Sequence, residues 1–213
     1  KARMNGLSRV ALEAVGTLGL VNRPVVLEWL VAAGDWEEED FIEGINAVVR
    51  RGLASERPAG EGWGLELVDR EAGDVAWEML AESDRHAAAT AFAVRVVQEH
   101  ADHPVASDER PALAARAYLK AGLPGTALPL LADATRHEQA AGRTATGLAM
   151  ADLWVETAEQ TGAEDLQDAL DMRVQLACSA CDWSRAEEDL DRMELLAGED
   201  SEQLLRVLTA RAT

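Results

Sequence analysis

The chain has 213 residues, of which 48% are hydrophobic, and a formal net charge of -19. This length allows one large domain or two small ones, and we expect two. The charge disfavours nucleic acid as a partner, because nucleic-acid affinity comes mostly from cations that displace phosphate counterions. Lys1 and Lys120 are the only lysines, and the scattered arginines form no basic stripe.

No apolar run approaches the length needed to span a bilayer, and the first residues, "KARMNGLSRVALEAVG", lack the pattern of a signal peptide. We therefore expect a cytoplasmic protein without a membrane partner. The chain starts with Lys1 rather than Met and enters a helical pattern at once, which indicates a fragment of a larger protein. Two cysteines are too few for a disulfide framework.

Three helices are predicted before Gly52. The second has Pro24 in its first turn and ends at Gly34, and the third has Asp35 as its N-cap. Each carries apolar residues at helical spacing. The apolar stripe of the first helix comprises Leu7, Val10, Ala11, Ala14, Val15 and Leu18; that of the second, Val26, Leu27, Leu30 and Val31; that of the third, Phe41, Ile42, Ile45, Val48 and Val49.

A β-hairpin follows the third helix. The strand-like runs "LASER" and "WGLELV" are separated by "PAGEG", whose Pro and Gly residues suit a turn. Trp63 lies near the hairpin tip, where it either folds back on the sheet or is offered to a partner. Two more helices are predicted between Asp69 and His100, so that the only sheet of a mainly helical protein lies near residues 53 to 68.

The order of helix, tight exit and hairpin resembles the recognition helix and wing of a winged-helix domain. Here the third helix opens with Glu37, Glu38, Glu39 and Asp40. These acids suit a helix N-terminus because they complement its dipole. On DNA they would face phosphates with like charge, since the N-terminal part of a recognition helix approaches the bases. Both interpretations argue against DNA as a partner.

The second half carries small residues and one aromatic at fixed offsets that resemble the tetratricopeptide signature. Small side chains allow two antiparallel helices to pack closely, and Gly122 permits the turn between them. Stacked repeats of this kind present a concave face to proteins or peptides. The best copy comprises Ala115, Tyr118, Gly122, Ala127, Leu131 and Ala134; a weaker copy has Ala177, Cys181, Ala186, Leu190 and Met193; a helix between them has Gly147, Ala151 and Trp154 on its packing face.

We thus predict a mainly α fold: a winged-helix domain with trailing helices over 1–103, and a tetratricopeptide-like helical solenoid over 104–213. The runs "LEAVGTLGLVNRPVVLEWL", "FIEGINAVVRRGLAS" and "GLELVDREAGDVAWEML", followed by the repeat, resemble the region after the ATPase module of STAND proteins, the signal-transduction ATPases of large bacterial regulators. The resemblance implies a non-catalytic regulatory fragment of a signalling ATPase or transcriptional regulator, whose partner is its own ATPase module or another signalling protein.

Two departures from the family narrow that expectation. The segment leaving the wing often reads aromatic-Arg-His-Asp-Leu in such proteins, with the His tied to the nucleotide or the closed state, whereas residues 67 to 71 here read "LVDRE" and lack the His. Neither lysine sits in a Gly-x-x-x-x-Gly-Lys-Ser/Thr run, so this chain is not expected to bind ATP alone. The alternatives are a DNA-binding winged-helix regulator and a stand-alone helical scaffold.

The remaining groups of cysteine, tryptophan, histidine and acidic residues are interpreted as structural. No catalytic residue, cofactor or metal site is predicted. Cys178 and Cys181, in "CSAC", have the spacing of half a zinc site or a redox pair, but we expect buried packing residues because further ligands are lacking. Core packing is also predicted for Trp29, Trp77, Trp154 and Trp183. The metal-capable group Glu99, His100, Asp102 and His103 is expected to end a helix. The predicted partner-binding residues are Glu37, Glu38 and Trp63.

Overall fold

The structure is a computed structural model that describes residues 2–21, 23–33, 36–59, 62–97 and 109–198. Within these ranges the chain is mainly helical and has one small antiparallel sheet, as predicted. The helices are α1 (Arg9–Val21), α2 (Leu27–Ala33), α3 (Glu38–Arg50), α4 (Glu71–Met79), α5 (Glu82–Val97), α6 (Arg110–Lys120), α7 (Pro124–Ala140), α8 (Thr144–Thr161), α9 (Leu166–Ser179) and α10 (Trp183–Ala197); the strands are β1 (Val25–Val26), β2 (Ala54–Ala59) and β3 (Gly62–Leu67).

The chain divides into two compact units, Lys1–Leu123 and Pro124–Thr213. The sequence prediction divides the chain between residues 103 and 104, whereas α6 packs along α5 and falls in the first of these units. A ring nitrogen of His86 lies 2.8 Å from the carbonyl oxygen of Ala121, which ties α5 to the end of α6. The helix pair predicted from Tyr118 and Ala127 is therefore divided between the units: α6 pairs with α5, and α7 pairs with α8.

Helix α1 is the centre of the first unit, where it packs against α3 and α4. Two of its glycines permit the close crossing with α4. A Cβ on Gly19 would lie 2.7 Å from the Cα of Gly73, and a Cβ on Gly16 would lie 2.6 Å from the Trp77 ring. Trp77 is only 2% exposed, so its buried ring fills the space that Gly16 leaves. The short side chains of this face therefore set the distance between the two helices.

The sheet has three strands in the order β1-β3-β2, all antiparallel, so the predicted hairpin gains a third strand. Val26 was predicted to lie in the second helix, but Val25 and Val26 pair with Leu65 and Gly64, and α2 begins at Leu27. Gly64 explains the pairing, because a Cβ there would lie 2.6 Å from the carbonyl oxygen of Val25. Only glycine lets β1 approach so closely.

In the second unit each helix packs against the next, from α7 to α10. The turns between them share one geometry, in which a residue with positive φ ends the helix: Gly142 (70°), Gly162 (63°) and Cys181 (58°). In each turn the following residue donates its backbone N–H to the carbonyl five residues before it, a Schellman motif. Gly122 ends α6 in the same way, and Gly122 to Gly162 spans 40 residues. This period exceeds the 34 residues of a tetratricopeptide repeat.

Cys181 is the one described non-glycine residue with positive φ. A left-handed conformation costs a residue with a Cβ about 1–2 kcal/mol, whereas glycine loses about 0.5–1 kcal/mol through its freedom in the unfolded chain. We therefore expect Cys181→Gly to stabilise the protein by about 0.5–1 kcal/mol, measured by urea unfolding. Gly142→Ala is the matched control, and it should destabilise by about 1 kcal/mol. Equal effects of the two substitutions would contradict this explanation.

Burial corrects five predictions. Leu27, predicted in the apolar stripe of the second helix, is 41% exposed. Ile42 and Val49 of α3 are 51% and 36% exposed, although Phe41, Ile45 and Val48 are buried as expected. The buried three occupy one face of α3, and the exposed two lie on a neighbouring face of the same helix. Trp183 is 61% exposed at the start of α10, and Cys181 is exposed in the preceding turn. Trp29, Trp77 and Trp154 are buried as predicted.

Candidate functional site

The outward face of α3 presents apolar residues bordered by acids. Ile42 and Val49 are seven residues apart, which is close to two helical turns, so both lie on this face. Asn46 lies between them and is exposed, and Glu38 and Glu39 are exposed in the first turn of the same face. Two exposed β-branched aliphatic residues on the same helix face form an apolar contact surface there.

The predicted partner-binding acids lie at the N-terminal end of α3. Glu37 is the N-cap residue, with extended backbone and no capping hydrogen bond from its side chain, and Glu38 is the first helical residue. Both side chains are exposed. The predicted N-cap, Asp35, lies outside the described residues. Since the Glu37 carboxylate does not cap the helix, it remains directed to solvent or to a partner.

Trp63 is offered to solvent at the tip of the β2–β3 hairpin. It pairs with Pro58 across the ladder, and its side chain is 69% exposed. Alternation along β3 puts Trp63 on the same face of the sheet as Leu65, which is 3% exposed in the core. The buried face of the hairpin thus continues past the core and ends in an uncovered indole. Of the two possibilities left open for Trp63, the structure has the exposed one.

The structure separates the predicted site residues along two elements. Within the described residues no hydrogen bond, ion pair or ring contact joins Trp63 to Glu37 or Glu38. The C-terminal end of α3 leads into β2. Glu37 and Glu38 lie at the other end of this 13-residue helix, about 20 Å from that junction. Trp63 lies at the end of the hairpin farthest from the junction. Ile42 and Val49, which sequence reasoning placed in the core, lie along α3 between the acids and this junction.

The arginines near this surface already have partners. Arg57 of the hairpin pairs with Glu66 at 3.7 Å, and the Arg50 side chain donates to the carbonyl oxygen of Asn46. The Arg51 guanidinium donates to three backbone carbonyls of the N-terminal turn, the closest being that of Asn5 at 2.7 Å. Each of these side chains therefore has a partner within the chain, and the charge of Arg57 is balanced by that of Glu66.

A groove of about 500 Å³ runs beside α3, between its inner flank and the turn that starts α1. Asp40 and Glu43 of α3 line it together with Arg9 and Arg51. Arg9 pairs with Glu13 at 3.0 Å, and Arg51 is held by the carbonyls of the N-terminal turn. The carboxylates of the groove are thus the groups free to meet a cation from outside.

A buried glutamate holds the start of α3 in place. Trp36, just before the helix, donates its indole N–H to Glu13 of α1 at 2.5 Å, and its ring stacks on Phe41 at 5.2 Å between centroids. The Glu13 side chain is only 3% exposed. Burial raises the pKa of Glu13, and the Trp36 hydrogen bond and the charge of Arg9 oppose that rise without cancelling it. The position of Glu37 and Glu38 therefore depends on this contact.

The raised pKa of Glu13 predicts the sign of a pH effect. The folded chain holds this proton more tightly than the unfolded chain, so the contribution of Glu13 to stability is full below the unfolded pKa and is lost as pH rises through the folded one. Glu13→Gln removes this titration. Relative to the parent chain, Glu13→Gln should therefore be most stable at pH 7, and this advantage should become smaller as the pH is lowered toward 5. Urea unfolding of both chains at each pH measures the free-energy difference. A difference independent of pH would contradict the burial argument.

In the described ranges no three His, Cys, Asp or Glu side chains converge as metal ligands. The predicted group Glu99, His100, Asp102 and His103 lies outside those ranges. None of the described helices combines the length and the apolar composition needed to cross a bilayer. Comparisons with protein-family models, curated proteins and solved structures gave no match.

Proposed function

We propose that this chain is a non-catalytic protein-docking module that resembles the winged-helix and helical-repeat region of STAND signalling ATPases, and that it binds a protein through α3 and the hairpin. We call this the docking surface, defined by Glu37, Glu38, Ile42, Val49 and Trp63. The observation that carries the proposal is the pair Ile42 and Val49 on the open face of α3, with acids at one end. Apolar anchors within a polar border are typical of a protein interface.

The chemistry of the docking surface argues against DNA. Phosphate contacts need cations, and base edges are read mostly by Arg, Lys, Asn and Gln. Here the first turn of α3 carries Glu38, Glu39 and Asp40, and the hairpin's Arg57 is paired with Glu66. A net charge of -19 adds long-range repulsion. Asn46 is the exposed side chain on this face best suited to a base edge, and one amide is too little for affinity or specificity.

The order of elements supports the winged-helix comparison. Helix α1, strand β1, helices α2 and α3, and the β2–β3 hairpin follow one another as in that fold, with β1 completing an antiparallel sheet of order β1-β3-β2. In this comparison α3 is the recognition helix and the hairpin is the wing. The same two elements that would read DNA are here free to bind protein, since a fold does not prescribe its ligand.

The partner we propose is the ATPase module of the same full-length protein. An apolar patch bordered by Arg or Lys would complement Ile42, Val49 and Trp63 together with the acids in the first turn of α3. Two modules in one chain meet at high effective concentration, so weak contacts suffice. A coupling of about 1–3 kcal/mol between docking and nucleotide state is enough to bias an on-off equilibrium.

Binding in trans tests this proposal. The coding sequence upstream of residue 1 is read first, and a Walker motif is expected there. The purified upstream module is then titrated with this chain and with Trp63→Ala and Ile42→Ala. Because central aromatic and aliphatic anchors cost about 1.4 kcal/mol or more when truncated, we expect each variant to bind about tenfold more weakly. Trp183→Ala is the matched control, since Trp183 is 61% exposed and Trp63 is 69% exposed.

Charge reversal gives an independent readout. Glu37→Lys with Glu38→Lys should slow association and weaken its salt dependence, because border charges act mostly on encounter rates. Absence of binding, or equal binding by Trp63→Ala, Ile42→Ala and Trp183→Ala, would place the partner surface elsewhere. That result would favour a scaffold that binds through α7 to α10.

The DNA-binding alternative has its own test. We expect no specific binding of the chain to duplex DNA at physiological salt, measured by fluorescence anisotropy with a pool of random duplexes and with the protein's own promoter region. The reason is that the cations near this surface are few and already engaged: Arg57 pairs with Glu66, and Arg50 and Arg51 donate to backbone carbonyls. A dissociation constant below about 1 μM with a steep salt slope would reverse the assignment of the docking surface.

A further inference from the structure

The turn between α9 and α10 carries two free cysteines three residues apart. Cys178 lies in the last turn of α9, and Cys181 is the left-handed residue that ends the helix. The Cys181 backbone N–H donates to the carbonyl oxygen of Cys178 at 3.0 Å. Residues joined by such a three-residue hydrogen bond have Cα atoms within about 7 Å, and disulfides span about 4.4–6.8 Å between Cα atoms.

Both side chains are accessible, which contradicts the packing role that sequence analysis assigned to them. Cys178 is half-buried and Cys181 is exposed. The equivalent positions after α6, α7 and α8 are Gly122, Gly142 and Gly162, with nothing within 4 Å of a Cβ built on them. Cys181 therefore accepts a strained backbone at a position where its side chain contributes little packing. Its sulfur is instead presented to solvent, three residues from a second sulfur.

We propose that Cys178 and Cys181 form a redox-active dithiol that closes to an intramolecular disulfide, with a small-molecule disulfide such as oxidised glutathione as the oxidant. The thiolate of Cys181, the more exposed residue, attacks one sulfur of oxidised glutathione, and the S–S bond of glutathione breaks. One reduced glutathione leaves, and Cys181 carries the other half as a mixed disulfide.

The second step completes the exchange. The thiolate of Cys178 attacks the Cys181 sulfur, the mixed disulfide breaks, and the second reduced glutathione leaves. Two protein thiols have then lost two electrons and two protons, which the two glutathione thiols have gained. The closed ring lies next to the α10 cap, where the Asp182 side chain accepts from the Arg185 backbone N–H at 3.4 Å. Oxidation therefore acts on the connection between α9 and α10.

This inference is independent of the docking surface, because both cysteines lie in the second unit. The test incubates the whole reduced chain with graded ratios of oxidised to reduced glutathione at mildly alkaline pH. Acid quenching, maleimide labelling and intact-mass measurement then count the free thiols. We expect chains that carry two maleimide labels to be replaced directly by chains that carry none. The unlabelled chains should be monomeric and two hydrogens lighter than the reduced chain. After reduction they should again take up two labels.

Two variants separate this device from ordinary surface thiols. Cys178→Ser should stop at one glutathione per chain, whereas Cys181→Ser should react more slowly than Cys178→Ser because the remaining thiol is half-buried. Circular dichroism melts check that both variants fold. Accumulation of glutathione adducts or of disulfide-linked dimers in the parent chain would overturn the proposal. So would a parent chain that keeps both labels at every ratio.

Discussion

Gly73→Val is expected to destabilise the first unit by about 3 kcal/mol. A Cβ on Gly73 would lie 2.7 Å from the Cα of Gly19, and a backbone atom cannot turn aside as a side chain does. Overpacking typically costs about 1–3 kcal/mol, and a branched side chain at a backbone contact belongs at the upper end. The gain in helix propensity from glycine to valine is only a few tenths, about 0.3 kcal/mol, and does not offset the clash. Urea unfolding measures the effect.

Gly125→Val is the matched control for that prediction. Both glycines lie near the start of a helix, Gly73 in α4 and Gly125 in α7. A Cβ on Gly125 has nothing within 4 Å, so the substitution should change the unfolding free energy by less than about 0.5 kcal/mol. If both variants lose the same stability, the close crossing of α1 and α4 is not the cause.

Arg173→Met is expected to cost the second unit about 3 kcal/mol. Two guanidinium nitrogens of Arg173 donate to the Asp189 carboxylate at 2.7 Å and 2.5 Å, and a third nitrogen reaches Asp152 at 3.1 Å. Asp189 is only 1% exposed, and its hydrogen bonds raise the pKa of Arg173 further above its ordinary value. Removing one partner of a buried pair leaves an uncompensated charge, which costs about 3–5 kcal/mol. Arg192 lies 3.5 Å from Asp189 and still partly compensates its charge in the variant. We therefore expect a loss of stability near the lower end of that range.

Two further variants separate charge from packing at this site. Arg173→Met combined with Asp189→Leu removes both charges and should recover most of the loss, because a well-packed apolar replacement of a buried pair is often neutral. Arg185→Met removes a cation of the same network whose pair with Asp152 is 38% and 44% exposed, and it should cost less than about 1 kcal/mol. Failure of the double variant to recover stability would show that the Arg173 side chain acts mainly through its packing.

Periodicity predicted the helices well, because burial of one face is visible as spacing along the chain. Periodicity did not predict which of the apolar residues are buried, because the sequence does not show which other helix packs against them. Nothing in "FIEGINAVVRRG" says that α1 covers Phe41, Ile45 and Val48 but leaves Ile42 and Val49 open. That distinction depends on Gly44, whose missing side chain lets α3 lie against Ala11 and sets the angle of the contact.

Strand β1 was missed for a related reason. Two residues are too short for any alternation, so Val25 and Val26 joined the helical pattern that follows them. The indication of this strand in the sequence lay in Gly64, the residue of β3 that pairs with Val26. A glycine inside a strand marks a place where another backbone approaches closely. Likewise, the glycine spacing of the second half, with Gly122, Gly142 and Gly162 at equal intervals, indicates the helix period more directly than the tetratricopeptide offsets.

The residues of the proposed docking surface were only partly predicted from the sequence. Glu37, Glu38 and Trp63 were identified from charge and from position in a hairpin, and all three are exposed. The apolar pair that links them was not, since an aliphatic residue on an amphipathic helix is assigned to the core by default. Exposure of such residues is a property of the assembled unit and only becomes visible in three dimensions.

Hydrogen–deuterium exchange of this chain with and without the ATPase module that we propose as its partner tests the central claim most directly. If the docking surface binds that module, peptides from α3 and from the β2–β3 hairpin should exchange at least about tenfold more slowly in the complex, while α7 to α10 are unchanged. The same experiment with duplex DNA should leave every peptide unchanged. Protection confined to α7 to α10, or protection of α3 by DNA alone, would contradict the account.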